Sequence, residues 1–265
     1  MILSGQKLQR NDKLRRSFSV YSSCKMTAEW LASLLALVAL TPFLVAAAAL
    51  VKASSGGPAF YCQVRLGRNG RPYRVYKIRT MVHQAEAKTG AVWAAQDDPR
   101  VTPIGRFLRD THLDELPQLW NILRGEMSLI GPRPERPEIA SQLESVLPNY
   151  RKRLHVRPGL TGLAQLRLPA DSDVSGVRRK LSYDLYYVRR VSPMLDVRIA
   201  ASTGFYLLAR LSKAMSEVLV RAPGREADRQ RHFGNPAMSI ELQFPRVSAS
   251  QRRRAPSVVK GVKAA

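Results

Sequence analysis

The sequence predicts an α/β fold of the α+β kind, mainly helical and associated with a membrane. An apolar run of 22 residues, Trp30–Val51, would make a helix of roughly 33 Å, enough to cross a hydrocarbon core. Two strand-like segments follow, joined by a turn signal at Asn69-Gly70. From Thr102 onward the chain carries helix-capping signals and helical patterns. A chain of 265 residues suffices for one good-sized domain with a small appendage.

The apolar run contains a helix-breaking signal near its middle. Pro42 cannot donate to the carbonyl of Val38 and its ring crowds that turn, so we expect a kink that the Thr41 hydroxyl could relieve. Basic residues lie on both sides of the run, and the positive-inside rule places basic flanks in the cytoplasm. A re-entrant helix that breaks at Thr41-Pro42 and returns to the same face satisfies both flanks. A single transmembrane span is the alternative.

The remaining elements follow from local signals. Residues 59–80 predict a β-hairpin, and Thr102-Pro103 predicts the start of a short helix that runs through Arg109. A second helix is predicted from Leu113 to Leu123, ending near a glycine. Further helices are predicted over residues 138–153, 182–190 and 195–219. The last of these has a broad apolar face that suits either a protein core or a membrane surface.

The formal net charge of +23 indicates an anionic partner surface. Anionic membrane lipids, phosphorylated substrates and nucleic acid all qualify. The sequence has neither zinc-ligand spacing nor an aromatic RNP-like run, so a nucleic-acid reader lacks its readout element. No nucleic-acid partner is therefore expected, and a basic nucleic-acid-binding membrane protein is kept only as an alternative function.

Two adjacent carboxylates, Asp114 and Glu115, are the strongest chemical signal in the chain. Two acids among several guanidinium groups suit metal-assisted phosphoryl chemistry, although a solvated face of mixed charge is the usual fate of such clusters. The acids fall near a predicted helix start, where either Thr111 or Asp114 itself would be the N-cap. The flanking arginines are Arg106, Arg109, Arg124, Arg133 and Arg136.

Several cations are candidates for binding phosphate or nucleotide. Lys77 and Arg79 alternate at the end of a predicted strand and project from one face, which is also typical of a basic edge that discourages aggregation. Arg133 lies between two prolines that stiffen its backbone. Arg109 precedes the Asp114–Glu115 pair, the dyad, by about one helical turn. Arg157 opens a glycine-containing turn, whose glycines either admit a phosphate or simply make the turn.

Four segments together resemble the bacterial sugar transferases, the monotopic polyprenyl-phosphate phosphoglycosyl transferases. The matches occur in family order and lie within residues 27–200. The segments are KIRTM at Lys77–Met81, LDELPQLWNILRGEMSLIGPRP at Leu113–Pro134, RPGLTGLAQ at Arg157–Gln165 and YDLYYV at Tyr183–Val188. This family has a re-entrant membrane helix, which agrees with the expected break at Thr41-Pro42.

The resemblance implies an enzyme that transfers a phosphosugar from a UDP-sugar to a polyprenyl (undecaprenyl) phosphate. Asp114 would be the nucleophile that attacks the β-phosphate, releases UMP and forms a covalent phosphosugar intermediate. Glu115 would help to position Mg²⁺. The product would initiate an exopolysaccharide, capsule, O-antigen or glycoconjugate, and a catalytically inactive membrane scaffold of the assembly complex is the alternative. The enzyme would lie on the bacterial inner membrane, facing the cytoplasm, and a homodimer is one candidate assembly.

These patterns divide the chain into four parts. Residues 1–26 form a basic N-terminal segment, residues 27–52 the re-entrant membrane helix and residues 53–220 the catalytic domain. Residues 221–265 carry ten lysines and arginines against three acids and predict a disordered basic tail. After Gln165 the chain departs from the family pattern, so the identity of the sugar does not follow from the resemblance.

Overall fold

The computed structural model describes residues 2–85, 87, 98–168 and 174–220, without the side chains of residues 2–20 and 215–220. One compact unit covers Met1–Leu219 and a second covers Val220–Ala265. The predicted basic tail, residues 221–265, lies outside the described residues. Within the described part the prediction of a mainly helical fold with a long apolar N-terminal helix and a small antiparallel sheet is confirmed.

Helices dominate the described part of the chain. Short 3₁₀ turns at Arg68–Gly70, Leu113–Glu115 and Tyr150–His155 connect them to the strands. The helices are α1 (Ile2–Ser54), α2 (Pro103–Asp110), α3 (Gln118–Leu123), α4 (Pro137–Val146), α5 (Leu163–Arg167), α6 (Val174–Arg190) and α7 (Pro193–Val220). The strands are β1 (Phe60–Leu66), β2 (Pro72–Ile78), β3 (Ser128–Ile130) and β4 (Gly159–Thr161).

Helix α1 is continuous through Thr41 and Pro42. The helical hydrogen bonding is therefore not interrupted there, and the predicted kink stays a prediction. The Thr41 hydroxyl donates to the carbonyl oxygen of Leu37 at 2.7 Å, four residues back, rather than to that of Val38. Proline removes only one intrahelical donor, and a hydroxyl bonded to the preceding turn is a common neighbour of such a site. The re-entrant course itself stays a prediction.

The segment Tyr21–Ser54 of α1 is long and apolar enough to cross a membrane. Its outward side chains include Leu35, which is 70% exposed, and Val38, which is 66% exposed. Other apolar residues of α1 pack against the rest of the protein: Leu37 and Leu40 contact a cluster around Met127. One side of the helix therefore belongs to the core, while the other presents hydrocarbon outward.

The β-hairpin is confirmed, with β1 and β2 antiparallel and in the register Phe60 opposite Ile78. At the turn, Asn69 has φ 58° and Gly70 has φ 76°. Positive φ is tolerated best by asparagine and glycine, which explains the residue types at this turn. The register also places Lys77 at the end of β2 that leads toward the dyad.

The second predicted helix is divided in two, and neither proposed N-cap is used. His112 takes a left-handed conformation, φ 58°, before the 3₁₀ turn Leu113–Glu115. The hydroxyl of Thr111 instead donates to the carbonyl of Phe107 at 2.7 Å, in the helix before. Pro117 explains the division, because it has no N–H to donate to the carbonyl of Leu113. The dyad thus lies on a tight turn between α2 and α3.

A short parallel pair, β3 and β4, brings two glycine-containing segments into contact. An added Cβ on Gly159 would lie 2.1 Å from the backbone nitrogen of Gly131, and one on Gly131 would lie 2.4 Å from the carbonyl oxygen of Arg157. The glycines of the RPGLTG segment are therefore required by the approach of two backbones. This gives the glycines a packing role, and a phosphate contact by the segment stays a prediction.

The C-terminal half of the unit is mainly helical, and one of its predicted helices is shorter than expected. The helix predicted over residues 138–153 ends at Val146, and a 3₁₀ turn, Tyr150–His155, follows Pro148. Helices α6 and α7 are confirmed and are longer than predicted. Buried residues of α4 and α6, including Leu143 and Leu181, form one core cluster.

Candidate active site

Glu115 is the centre of a cluster of buried charges. Its Oε1 accepts from Lys77 Nζ at 2.6 Å and from Arg133 Nη2 at 2.7 Å, while Arg133 Nη1 reaches Oε2 at 3.3 Å. Burial alone would raise the pKa of Glu115, but the charges of Arg133 and Lys77 outweigh it and hold that pKa well below its ordinary value. Glu115 therefore stays ionised to a lower pH than an ordinary glutamate.

Asp114 is buried like Glu115, but it does not form the hydrogen bonds to Lys77 and Arg133 that Glu115 forms. It is 6% exposed, and among the described residues no side chain hydrogen-bonds to its carboxylate. Burial raises the pKa of Asp114 to about 6, against the opposing charge of Lys77 and with the help of the Glu115 carboxylate. Near neutral pH Asp114 is thus an ionised carboxylate with unused lone pairs, which is what a nucleophile requires.

Arg109 and Arg133 supply positive charge beside Asp114, and both favour its ionised form. The Nε of Arg109 donates to the hydroxyl of Thr80 at 2.7 Å, which fixes the guanidinium between β2 and α2. The side chain of Arg133 is 49% exposed, so its guanidinium remains open to a bound anion. Together with Lys77 they form what we call the catalytic cluster: Lys77, Arg109, Asp114, Glu115 and Arg133.

His112 lies beside the dyad and reaches toward α7. Burial lowers its pKa, and the Glu115 carboxylate opposes that effect. Its Nε2 lies 3.4 Å from the hydroxyl of Tyr206 on α7. As the left-handed residue of a tight turn that also contacts α7, His112 connects the dyad segment to that helix.

The loop that carries Arg133 is held by a buried ion pair that sequence reasoning missed. Arg153 Nη2 donates to the carbonyl oxygen of Arg133 at 2.8 Å and lies 2.7 Å from Asp184 Oδ2. The pair is closed by the hydroxyl of Tyr150, 2.9 Å from Arg153 Nη1. Asp184 was visible in the YDLYYV segment, but nothing local in the sequence links α6 to a proline-rich loop.

The strand that precedes the same loop is fixed by a second polar cluster. Tyr187 OH lies 3.0 Å from the carbonyl oxygen of Ile130, and Lys25 Nζ donates to that oxygen at 3.0 Å. Lys25 also lies 2.8 Å from Asp196 Oδ2, and Ser128 Oγ donates to Glu29 at 2.7 Å. Tyr21 OH is hydrogen-bonded to Asp196 as well. We call this set the anchoring cluster: Tyr21, Lys25, Glu29, Tyr187 and Asp196.

Asn121 connects the dyad segment to the hairpin. It is fully buried, its Oδ1 accepts from the backbone N–H of Tyr76 at 3.2 Å, and its Nδ2 donates to the carbonyl of Arg74 at 2.7 Å. A buried amide with both ends satisfied fixes α3 against β2. These two bonds help to set the distance between Lys77 on β2 and the dyad, which ends three residues before α3.

Two predicted phosphate ligands lie elsewhere. Arg79 is 6% exposed and its Nη2 donates to the carbonyl and hydroxyl oxygens of Ser55, at 2.8 and 3.0 Å, just beyond the end of α1. The charges nearest Arg157 are those of Arg68 and Glu29. The described hydrogen bonds therefore join Lys77 and Arg133 to Glu115, and the charge of Arg109 acts on Asp114. No such link to the dyad is described for Arg79 or Arg157.

The dyad was also predicted to hold Mg²⁺, and its donors can be tested for that role. No group of three or more His, Cys, Asp or Glu side chains suitable for a metal occurs among the described residues. Glu115 Oε1 already accepts from two cations, but Oε2 has only one long hydrogen bond. Mg²⁺ is commonly held by one or two carboxylates and completed by substrate phosphates and water. The cluster fits an ion that arrives with a diphosphate, and does not fit a closed protein cage.

The comparisons with known proteins agree on a family of sugar transferases. The family described as "Bacterial sugar transferase" matches residues 20–210. A UDP-N-acetylgalactosamine-undecaprenyl-phosphate N-acetylgalactosaminephosphotransferase of Aeromonas hydrophila is 39% identical over 184 residues, which are 69% of this chain and 43% of that protein. A UDP-glucose:undecaprenyl-phosphate glucose-1-phosphate transferase of Klebsiella pneumoniae is 40% identical over 184 residues, 68% of this chain and 39% of that protein.

A third relative matches over nearly its whole length. The exopolysaccharide production protein PSS of Rhizobium leguminosarum bv. phaseoli is 40% identical over 196 residues, 72% of this chain and 92% of that protein. The chain spans only about two fifths of the first two relatives. The matched part includes the dyad, the Arg133 loop and most of α7.

Proposed function

We propose a phosphosugar transfer for this chain, which belongs to the bacterial sugar transferase family. The donor is a UDP-sugar and the acceptor a polyprenyl phosphate such as undecaprenyl phosphate, the acceptor in the names of several relatives. The products are UMP and a polyprenyl diphosphosugar, the first lipid-linked unit of a surface polysaccharide or glycoconjugate. The single observation that carries the proposal is a buried Asp114 beside a cationic cluster, with no side-chain hydrogen bond to its carboxylate within the described part of the chain.

In the first half-reaction an Asp114 carboxylate oxygen attacks the β-phosphorus of the UDP-sugar. The bond from that phosphorus to the bridging oxygen breaks, UMP leaves with the bonding pair, and an aspartyl phosphosugar remains. No proton is needed from the enzyme, because the leaving group is a phosphate. The pKa of Asp114, about 6, leaves the attacking oxygen ionised but more basic than an exposed aspartate.

The catalytic cluster supports this displacement by charge. Lys77 and Arg133 are held in place by Glu115 before substrate binds, so little reorganisation is needed when charge develops on the phosphoryl oxygens. Arg133 is the best phosphate ligand of the set, because its half-exposed guanidinium can bind two oxygens at once. Arg109 offers a further charge on the Asp114 side.

In the second half-reaction a phosphate oxygen of the lipid attacks the same phosphorus. The aspartyl oxygen leaves with its bonding pair, which restores the Asp114 carboxylate and completes the diphosphate. Two displacements at one phosphorus predict ping-pong kinetics, with UMP released before the lipid reacts. Mg²⁺, held through Glu115 and the diphosphate, would neutralise phosphate charge in this site.

The direct test measures the two half-reactions separately. Purified enzyme with Mg²⁺ and a panel of UDP-sugars, without lipid, should release up to one equivalent of UMP and gain the mass of one phosphosugar. Addition of undecaprenyl phosphate should then give turnover, and EDTA should stop it. If no UDP-sugar yields UMP, or if turnover continues in chelator, the reaction or its metal assignment must be abandoned. The alternative of an inactive scaffold predicts no UMP release at all.

The proposed location is the cytoplasmic face of the bacterial inner membrane, with α1 as a re-entrant helix. In a variant lacking Cys24 and Cys62, Ser4→Cys and Ser55→Cys should both label only from the cytoplasm. Pro42→Leu restores an intrahelical donor and should favour a full span. Labelling of the Ser4→Cys site from outside would establish a single-pass helix, and the re-entrant course would then be wrong even if the transferase activity is present.

A further inference from the structure

A cavity of about 910 Å³ lies between the first turns of the apolar part of α1 and helix α7. It extends to the catalytic cluster, because Glu115 and Arg133 line it, and runs past Leu116 and Leu207. Its volume is in the usual range for a small-molecule site, about 300–1,000 Å³. The proposed transfer of a phosphosugar uses only the charged end of this cavity, so the remainder needs an explanation.

Small side chains keep the cavity open. Ala28 and Ala32 are one turn apart on α1, and Ala200 and Gly204 are one turn apart on α7, so each pair lies on one face of its helix. An added Cβ on Gly204 would have no atom within 4 Å. Two helices with larger residues at these positions would fill the gap. Leucine is abundant elsewhere in both helices, so the gap depends on the small residues at these four positions.

The charges that line the cavity differ in whether they are available. Lys25 and Asp196 are ion-paired at 2.8 Å, and Glu29 accepts a hydrogen bond from Ser128, so this end offers few unpaired groups to a ligand. Arg133 is paired with Glu115, but its side chain is 49% exposed and is therefore accessible to a ligand. The cavity therefore combines one accessible cation beside the nucleophile with a long apolar wall, which suits an amphiphile with an anionic head.

Polar sugar or nucleotide groups would be left without partners along that apolar wall, at a cost in binding. A hydrocarbon chain needs no partners there. Exposed apolar side chains continue from both walls: Leu31 is 50% exposed, Phe205 76% and Leu208 66%. These lie within about one turn of the lining residues of α1 and α7. A chain in the cavity can thus pass from the site to a lipid environment without crossing a polar surface.

We propose that the cavity between α1 and α7 holds the first isoprene units of the acceptor lipid and directs its phosphate toward Arg133. This inference rests on the proposed function, since it assigns the acceptor's place in that reaction. In-line displacement of Asp114 requires the lipid phosphate to approach the phosphorus from the position that UMP vacates, so the head of the lipid and the departing UMP use the same side of the dyad in turn. Filling the cavity should impair the second half-reaction and leave the first intact.

The first experiment fills the cavity from each wall. Gly204→Leu and Ala28→Leu should raise KM for undecaprenyl phosphate by about tenfold or more, with the lipid-independent UMP burst within about twofold of wild type. Ala201→Leu and Ala49→Leu are matched controls on exposed positions of the same helices that do not line the cavity, and both should behave like wild type. Unchanged KM in both filled variants overturns the proposal, as does equal loss of both half-reactions at unchanged Tm.

A binding measurement works without turnover and covers the case of a filled variant that does not fold. Cys24 lines the cavity and Cys62 on β1 does not, and both are free and exposed. In detergent, undecaprenyl phosphate should slow maleimide labelling of Cys24 about fivefold or more, relative to detergent alone, while Cys62 is unaffected. Inorganic phosphate and a diacyl phosphatidic acid are compared, to separate head group from isoprenoid chain.

The outcomes of this measurement decide the proposal. Equal labelling of Cys24 with and without the lipid overturns it, and protection by phosphatidic acid to the same degree overturns its isoprenoid assignment. Absence of UMP release from every UDP-sugar would refute the proposed reaction. The Cys24 result would still decide whether the cavity binds the lipid, so the two failures are distinguishable.

Discussion

The catalytic cluster and the anchoring cluster are built from the same residue types and reach opposite results. In each, a lysine is paired with a buried carboxylate: Lys77 with Glu115, and Lys25 with Asp196. Asp196 is satisfied by Lys25 and by two tyrosine hydroxyls. Asp114 has no side-chain hydrogen bond among the described residues. A fully satisfied carboxylate holds elements together, whereas a desolvated and unsatisfied one is available for chemistry.

The two clusters act on the same segment of chain. The anchoring cluster binds the carbonyl of Ile130, and Arg153 binds the carbonyl of Arg133, three residues later. Arg133 in turn pairs with Glu115. The position of the Arg133 guanidinium thus depends on contacts with α1 and α6. Four predictions test this division between satisfied and unsatisfied carboxylates, in order of expected effect.

Asp114→Asn should have the largest effect on activity and should not weaken the fold. Loss of the nucleophile should lower turnover by on the order of 10³-fold or more and abolish the covalent adduct. Because burial raises the pKa of Asp114 to about 6, its ionised form costs folding free energy above that pH. The variant should therefore be more stable than wild type at pH 7.5, by about 1–3 kcal/mol, and lose this advantage toward pH 4. Near-normal turnover would refute the assignment.

Asp184→Asn should damage both stability and activity. It leaves the Arg153 guanidinium buried with its pair broken, which typically costs about 3–5 kcal/mol. It should also lower the UMP burst rate by about 10- to 100-fold, because the carbonyl of Arg133 loses an oriented donor. Arg151→Met is the control, since it breaks an exposed pair with Glu144 and should cost less than about 1 kcal/mol. Urea unfolding and burst kinetics on both variants decide the matter.

The UMP burst should depend on pH through Asp114 and not through Glu115. The pKa of Asp114 is raised to about 6, while that of Glu115 is held well below its ordinary value. The attacking group is the carboxylate, so the burst rate should be constant above that pKa and fall about tenfold per unit below it. Lys77→Met removes the largest opposing charge on Asp114 and should shift the midpoint upward. A flat profile between pH 5 and 7 would contradict the assignment.

Lys25→Met should have the smallest effect. Asp196 keeps its bonds from Tyr21 and Tyr187, so the anchoring cluster is weakened and not lost. We expect kcat to fall by on the order of threefold at constant KM for the UDP-sugar, with Lys25→Arg restoring most of it. A loss as large as that of Asp114→Asn would show that the two clusters are not separate in function. Equal kcat in both variants and wild type would show that the contact with α1 does not position Arg133.

Local features were predictable because their causes are local. Asn69-Gly70 fixes the hairpin turn through backbone conformations available to few residues. Thr102-Pro103 fixes the start of α2: the Thr102 hydroxyl accepts from the N–H of Gly105 at 3.0 Å. The adjacency of Asp114 and Glu115 required no fold at all. The predicted N-cap at Thr111 or Asp114 was wrong, and the cause is again local: Pro117 divides the predicted helix.

Local sequence patterns could not predict the partners of the site residues. Lys77 and Glu115 are 38 residues apart, Arg153 and Asp184 are 31 apart, and Lys25 and Ile130 are 105 apart. The YDLYYV segment shows the limit: the sequence displays Asp184 and Tyr187, and their roles on either side of the Arg133 loop appear only in three dimensions.

The sequence by itself determined the reactive residue types, the membrane-length helix, the hairpin and most helices of this protein, because backbone preference and hydrophobic period act over a few residues. Only the tertiary structure shows that Asp114 has no side-chain hydrogen bond among the described residues and that Glu115 is doubly paired. It also shows that the described contacts of Arg79 lie at Ser55, and that a gap remains between α1 and α7. Those outcomes depend on how distant elements pack and on which polar groups lose water together, which no short stretch of sequence specifies.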